Sequence, residues 1–128
     1  MRILHTMLRV GNLERSIKFY TEVLGMKLLR TTDRPDQKYS LAFVGYDGED
    51  KSAVLELTYN FGVDSYEIGT GYGHIAVTVD DLDATLAGLA EQGIEPERQP
   101  YSVREGGSRL CFVRDPDGYR IELIGRGG

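Results

Sequence analysis

At 128 residues with 41% hydrophobic side chains, the chain suits one domain that buries about two-thirds of the surface its unfolded form exposes. The 15 Lys and Arg against 20 Asp and Glu leave a formal charge of −5. The basic residues are scattered, with no stripe or interleaved aromatic platform, which argues against nucleic acid. The lone cysteine, Cys111, excludes an internal disulfide and fits a reducing compartment. No apolar run approaches the ~20 residues of a membrane span, and the N-terminus reads as a strand and not a secretory leader, so a soluble cytoplasmic protein is expected.

The first half reads strand, helix, then three strands. Residues 3–10 alternate as a strand, with Ile3, His5, Met7 and Arg9 on one face and Leu4, Thr6, Leu8 and Val10 on the other. Asn12 is placed to cap a helix over 12–24 whose Leu13, Ile17, Tyr20 and Leu24 recur at helical spacing, with Glu14 and Lys18 as an i,i+4 pair and Gly25 as its stop. Strands follow over 26–32, 39–46 and 52–59, separated by a loop around Pro35 and a hairpin turn at Asp47-Gly48-Glu49-Asp50. The glycine-rich segment 61–73 reads as a linker.

The second half repeats that order. A strand over 74–79 leads to acids at Asp80-Asp81 and a helix over 81–92 with Leu82, Leu86 and Leu89 inward, ended by Gly93. A short strand over 94–98, one over 109–113, a turn at Asp115-Pro116-Asp117-Gly118 and a last strand over 119–124 complete it. The expected fold is therefore α+β: a single domain of two βαβββ modules, residues 1–60 and 74–128, joined by the linker 61–73.

The duplication carries chemistry. The chain has two histidines, and each opens the first strand of its module: His5 and His74. The step between them also carries Phe43-Val44 onto Phe112-Val113. Late in each module a glutamate interrupts an apolar strand, Glu56 in Val54-Leu55-Glu56-Leu57 and Glu122 in Arg120-Ile121-Glu122-Leu123. Either glutamate alone would pass for a solvent-facing residue, and a lone strand histidine for a half-buried ring. All four at repeat-equivalent positions read instead as a metal site of two imidazoles and two carboxylates. Such a mixed nitrogen and oxygen sphere, completed by water, suits nickel, cobalt, manganese or zinc, and without a thiolate it is no closed structural zinc site. A cation with a carboxylate beside it fits proton abstraction next to a carbonyl, the developing enediolate being stabilised.

Here the residues carry a resemblance. His5-Thr6-Met7-Leu8-Arg9-Val10, Val23-Leu24-Gly25-Met26-Lys27-Leu28-Leu29-Arg30, Leu55-Glu56-Leu57-Thr58-Tyr59-Asn60, Tyr72-Gly73-His74-Ile75-Ala76 and Asp115-Pro116-Asp117-Gly118-Tyr119-Arg120-Ile121-Glu122-Leu123 resemble the bacterial glyoxalase I (lactoylglutathione lyase) family of the vicinal oxygen chelate superfamily. The resemblance implies conversion of the hemithioacetal of methylglyoxal and glutathione into S-lactoylglutathione. It implies His5, Glu56, His74 and Glu122 as metal ligands, Glu122 as the proton shuttle and Glu56 as the partner base. It implies a homodimer whose sites take His5 and Glu56 from one chain and His74 and Glu122 from the other. The short chain, with His first among the ligands, is similar to the nickel- and cobalt-activated subgroup, with zinc as the alternative.

Glutathione binding carries over to Arg9 and Asn60. Each stands four residues past a ligand, so Arg9 shares the His5 face about 13 Å further along. A guanidinium pairs with a carboxylate, and an amide both donates and accepts. Thr70 stands where longer relatives carry a further glutathione-binding Arg, leaving Arg104 in the loop Arg104-Glu105-Gly106-Gly107 as the candidate replacement. Phe61 stands where a Trp is common. Other readings divide on these residues. A ring-cleaving dioxygenase or fosfomycin-modifying enzyme of the superfamily would leave Glu56 without a task. An acyl-CoA epimerase would give no reason for Arg9 with Asn60. A metal-free drug-binding module would make all four ligand positions dispensable.

Overall fold

The computed structural model describes residues 1–126, so the last two residues of the module expected over 74–128 lie outside the described residues. The chain forms two compact units, Met1–Glu67 and a second beginning at Ile68. Among the described residues no helix is long and apolar enough to cross a membrane.

In the first unit, β1 (His5–Arg9), α1 (Leu13–Lys18), β2 (Lys27–Arg34), β3 (Tyr39–Gly45) and β4 (Val54–Asn60) follow in order. The sheet order is β1-β4-β3-β2, with β1 parallel to β4 and the other pairs antiparallel. Asn12 caps α1 by accepting from the Arg15 amide at 3.0 Å, and Gly25 takes the left-handed φ of 76° that stops the helical segment. α1 packs on β3 and β4. The face turned from His5 supplies Leu8, Val10, Ala42, Val44, Leu55 and Leu57, all buried.

The helical segment departs from the expected stripe. After Lys18 it widens into a π turn over Phe19–Val23, with Leu24 N donating to Phe19 O at 3.1 Å. The Thr21 hydroxyl donates to the Ile17 carbonyl at 2.7 Å, competing for a helical acceptor at the start of that turn. The extra residue rotates the end of the segment; Ser16, Phe19 and Tyr20 are buried while Leu13, Ile17 and Leu24 are only half-buried. Lys18 comes within 4.0 Å of Glu22, an i,i+4 partner one turn beyond the expected Glu14.

In the second unit, β5 (Ile75–Val79), α2 (Leu82–Glu91), β6 (Leu110–Arg114) and β7 (Arg120–Gly125) form a sheet of order β5-β7-β6 with α2 packed on β7. Asp81 caps α2 through the Ala84 amide at 3.0 Å, and Leu82 and Leu89 are buried while Leu86 is half-buried. The short strand expected over 94–98 does not form. That segment lies beside β6 through one bond, Glu97 N to Phe112 O at 2.8 Å, and the chain beyond it closes an isolated antiparallel bridge in which Tyr101 and Leu110 exchange bonds of 3.0 and 2.8 Å. Pro96 and Pro100 remove two of the amides that a regular ladder would use.

Gly11, between β1 and α1, tests this packing. A Cβ there would stand 2.1 Å from the Asp64 carbonyl oxygen, a backbone atom. Gly11→Ala is expected to cost about 1–3 kcal/mol, as overpacking does. Gly71→Ala, with nothing within 4 Å, should stay close to neutral in the same urea titrations.

Candidate functional site

The four repeated residues form two contacts of the same kind. His5 Nε2 lies 3.0 Å from Glu56 Oε1, and His74 Nε2 lies 3.1 Å from Glu122 Oε1. The side chains are 36% and 16% exposed in the first pair, 39% and 15% in the second, so each pair is anchored on its sheet and open on one side. The geometry follows from register. β1 runs parallel to β4 with His5 opposite Val54, so Glu56, two residues on, points to the His5 face one step diagonally ahead. β5 runs parallel to β7 with Ile75 opposite Ile121, which gives His74 and Glu122 the same diagonal step.

An imidazole nitrogen and a carboxylate oxygen at this spacing, reachable from one side, are donors suited to a first-row divalent cation. Each unit thus offers two donors. Among the described residues, no group of three or more His, Cys, Asp or Glu is gathered to hold a metal ion.

The two pairs differ at one point. The Thr58 hydroxyl donates to Glu56 Oε2 at 3.1 Å. The matching residue of β7, two beyond Glu122, is Ile124, which has no hydroxyl. Arg9 and Asn60 repeat the diagonal four residues along, for Arg9 stands opposite Thr58 and Asn60 lies two further on. Asn60 Nδ2 donates to the Tyr66 hydroxyl at 3.1 Å, which leaves its amide oxygen to accept.

Some expected contributors stand apart. Arg104 occupies the turn closed by Gly107 N to Arg104 O at 3.0 Å and lines a hollow of about 340 Å³ with Val103, Ser108 and Leu110, where none of the four pair residues reaches. Phe61 sits with its ring 5.8 Å from that of Tyr59. Cys111 is fully buried, and that burial pushes its thiol up, as in an inert structural cysteine.

Each pair also has a setting that sequence reading missed. Phe43 meets His5 at 5.4 Å and 78°, and Phe112 meets His74 at 5.1 Å and 75°. Arg30 lies over Phe43 at 3.8 Å and Arg120 over Phe112 at 4.0 Å. Their side-chain hydrogen bonds hold the Glu49 and Glu97 carboxyls below the ordinary carboxylate range. The aromatic repeat was visible in the spacing of Phe43 and Phe112. The cations were not, because they do not occupy repeat-equivalent positions.

The sequence model of the Glyoxalase/Bleomycin resistance protein/Dioxygenase superfamily matches residues 2–123. The chain is 59% identical to the lactoylglutathione lyase of Escherichia coli O157:H7 over 97% of its own length and 92% of that protein's. It is 56% identical to the lactoylglutathione lyase of Haemophilus influenzae, with the same coverage of both. Among solved structures, glyoxalase I from Zea mays superposes with a TM-score of 0.93 at 48% identity over 99% of this chain, which spans 45% of the maize chain. The trypanothione-dependent glyoxalase I of Leishmania major gives a TM-score of 0.84 at 51% identity over 98% of this chain and 86% of that one. With such likeness along nearly its whole length, the chain belongs to the glyoxalase I (lactoylglutathione lyase) family of that superfamily and is an enzyme of the lyase class.

Proposed function

We propose that the protein is a metal-dependent lactoylglutathione lyase that isomerises the methylglyoxal–glutathione hemithioacetal to S-lactoylglutathione in the cytoplasm. The observation that carries this reading is the recurrence of one His–Glu contact, at one register step, in both units. The names of the relatives support a glutathione-derived substrate.

In this reading His5, Glu56, His74 and Glu122 hold a divalent ion, nickel first, with cobalt or zinc as alternatives. The protein works as a homodimer of single-domain chains, modules 1–60 and 74–128 with linker 61–73, and each site takes one His–Glu pair from each chain. When bound, the ion supplies positive charge that stabilises the substrate's two oxygens as negative charge develops on them. Glu122 takes the proton from the sulfur-bearing carbon and returns it to the neighbouring carbon, and the hydroxyl proton passes from the first oxygen to the second, so that the carbonyl ends next to sulfur. Glu56 is the partner base on the opposite face. The Thr58 hydroxyl supports this division of labour: it donates to Glu56 Oε2 and holds that side chain in place, whereas Ile124 offers Glu122 no such donor.

Arg9 and Asn60 take the glutathione moiety, the guanidinium pairing with a carboxylate and the amide oxygen accepting an N–H. An epimerase gives this second polar pair no task, a dioxygenase gives none to Glu56, and a metal-free binding module gives none to the His–Glu pairs.

Stripping the protein with a chelator should abolish activity, and nickel should restore more of it than zinc. Glu56→Gln and His74→Ala should each lose metal affinity by equilibrium dialysis together with turnover. Either variant fully active after chelation contradicts the four-ligand reading. Arg9→Ala should raise KM about tenfold or more while kcat changes little. A lost charge-assisted bond costs ~1.5–3 kcal/mol, and this contact is kept in ground and transition states alike. Wild-type kinetics in that variant would remove Arg9 from the substrate site.

A further inference from the structure

In both units an arginine–glutamate pair is laid over the phenylalanine that touches the candidate histidine. Arg30 stacks on Phe43 and donates to Glu49 through Nε at 2.8 Å and through its terminal nitrogen at 3.1 Å. Arg120 stacks on Phe112 and donates to both oxygens of Glu97 at 2.9–3.1 Å. Each phenylalanine stands opposite its glutamate in the ladder, Phe43 with Glu56 and Phe112 with Glu122. The two clusters therefore have the same order: ion pair, phenyl ring, imidazole, carboxylate.

Duplication does not account for this likeness. In the first unit the arginine comes from the outer strand beside β3, and its glutamate from the loop before β4. In the second unit the glutamate comes from the outer segment beside β6, where Glu97 N bonds to Phe112 O, and the arginine comes from β7. The two elements have exchanged roles, and the same assembly is reached from positions that the repeat does not relate.

The first unit also spends a backbone irregularity on it. Leu28 stands opposite Val44, but Arg30, not Leu29, stands opposite Phe43. The extra residue is a bulge, the device that re-aims a side chain next to a site. Without it Leu29 would meet Phe43 and Arg30 would turn to the other face. Fold stability is a poor reason for such construction. Exposed ion pairs contribute about 0–1 kcal/mol, and Arg30 and Arg120 are 51% and 36% exposed.

We propose that Arg30 and Arg120 are positioning residues: each clamps a phenyl ring whose orientation fixes the imidazole of His5 or His74 against its glutamate. A guanidinium tied by two bonds is a rigid plate. It closes one face of the ring, and the ring then blocks the alternative rotamers of the imidazole it meets nearly at right angles. Outer groups of this kind pre-set ligands for a cation and typically change affinity by about 10–100-fold when removed. This inference rests on the metal reading above for its purpose, but its geometric part can be measured without any metal.

With two histidines in the chain, the imidazole spectrum of ¹³C-histidine-labelled protein is simple to assign. In metal-free wild type, the three-bond couplings of both side chains should report one χ1 rotamer each. Arg30→Met should average the couplings of His5 alone, and Arg120→Met those of His74 alone. In titrations with nickel each variant should bind about 10–100-fold more weakly. kcat should fall while KM for the glutathione adduct holds. Arg30→Lys, which keeps a cation over Phe43, should recover part of both losses. Unchanged couplings in both Met variants overturn the proposal, as does a lowered melting temperature with unchanged nickel affinity, or a loss in Arg30→Met of which Arg30→Lys recovers nothing. A wild type that binds no nickel speaks against the metal reading instead, and the couplings still decide whether the arginines hold the imidazoles.

Discussion

Parallel pairing between the first and last strands of each unit is the constraint on which the rest depends. An antiparallel neighbour would set the histidine on a hairpin partner that runs away from it. The parallel ladder places the glutamate two residues beyond the partner of the histidine position, on the same face and within 3.0 or 3.1 Å. Parallel strands need a crossover, and in both units a helix is part of that crossover. α1 and α2 thereby cover the faces turned from the histidines, burying Leu57 and Val44 in one sheet and Ile121 and Leu123 in the other. One face becomes core, and the other is left to carry polar groups.

On that polar face the two units have diverged in ways that match different tasks. Glu56 is pinned by Thr58, and its strand continues to Asn60, with Arg9 at the end of the neighbouring strand. Glu122 is followed on its face by Ile124 and then Arg126, which with Thr78 takes the place of Asn60 and Arg9 and comes within 3.9 Å of Asp80. In the proposed enzyme the first unit supplies a carboxylate pinned by Thr58 and the grip on glutathione, while the second supplies Glu122, where Ile124 takes the place of that hydroxyl. The alternation of each strand sorts these roles without further machinery, since every second residue of β1 and β4 reaches the same side.

Much of this was legible in residue order. Period-two alternation in the first strand separated His5, Met7 and Arg9 from Leu8 and Val10, and burial follows that division from Leu8 on, whereas Leu4 and Thr6, expected on the same face as Leu8, are exposed. Asn12, Gly25 and Gly93 marked helix ends because capping and left-handed φ are local chemistry. What escaped was set by features that a count of apolar residues does not register. The π turn at Phe19 depends on a side chain competing for a backbone acceptor. The strand expected over 94–98 lost its ladder at Pro96, although Glu97 still docks beside Phe112. Arg30 read as one basic residue among many, since a bulge is invisible to a pattern that counts in twos. Arg104 was chosen for charge alone, and charge in a loop carries no direction.

The central claim is that the paired donors of the two units complete one another across two chains, and mixed dimers test it most directly. One chain would carry His5→Ala with Glu56→Ala, the other His74→Ala with Glu122→Ala, each inactive alone. A refolded equimolar mixture should contain about half heterodimers if pairing is random, each with one complete site and one empty of all four ligands. About a quarter of wild-type activity should therefore return, given independent sites under closed two-fold symmetry. Verified heterodimer that remains inactive would contradict the shared site.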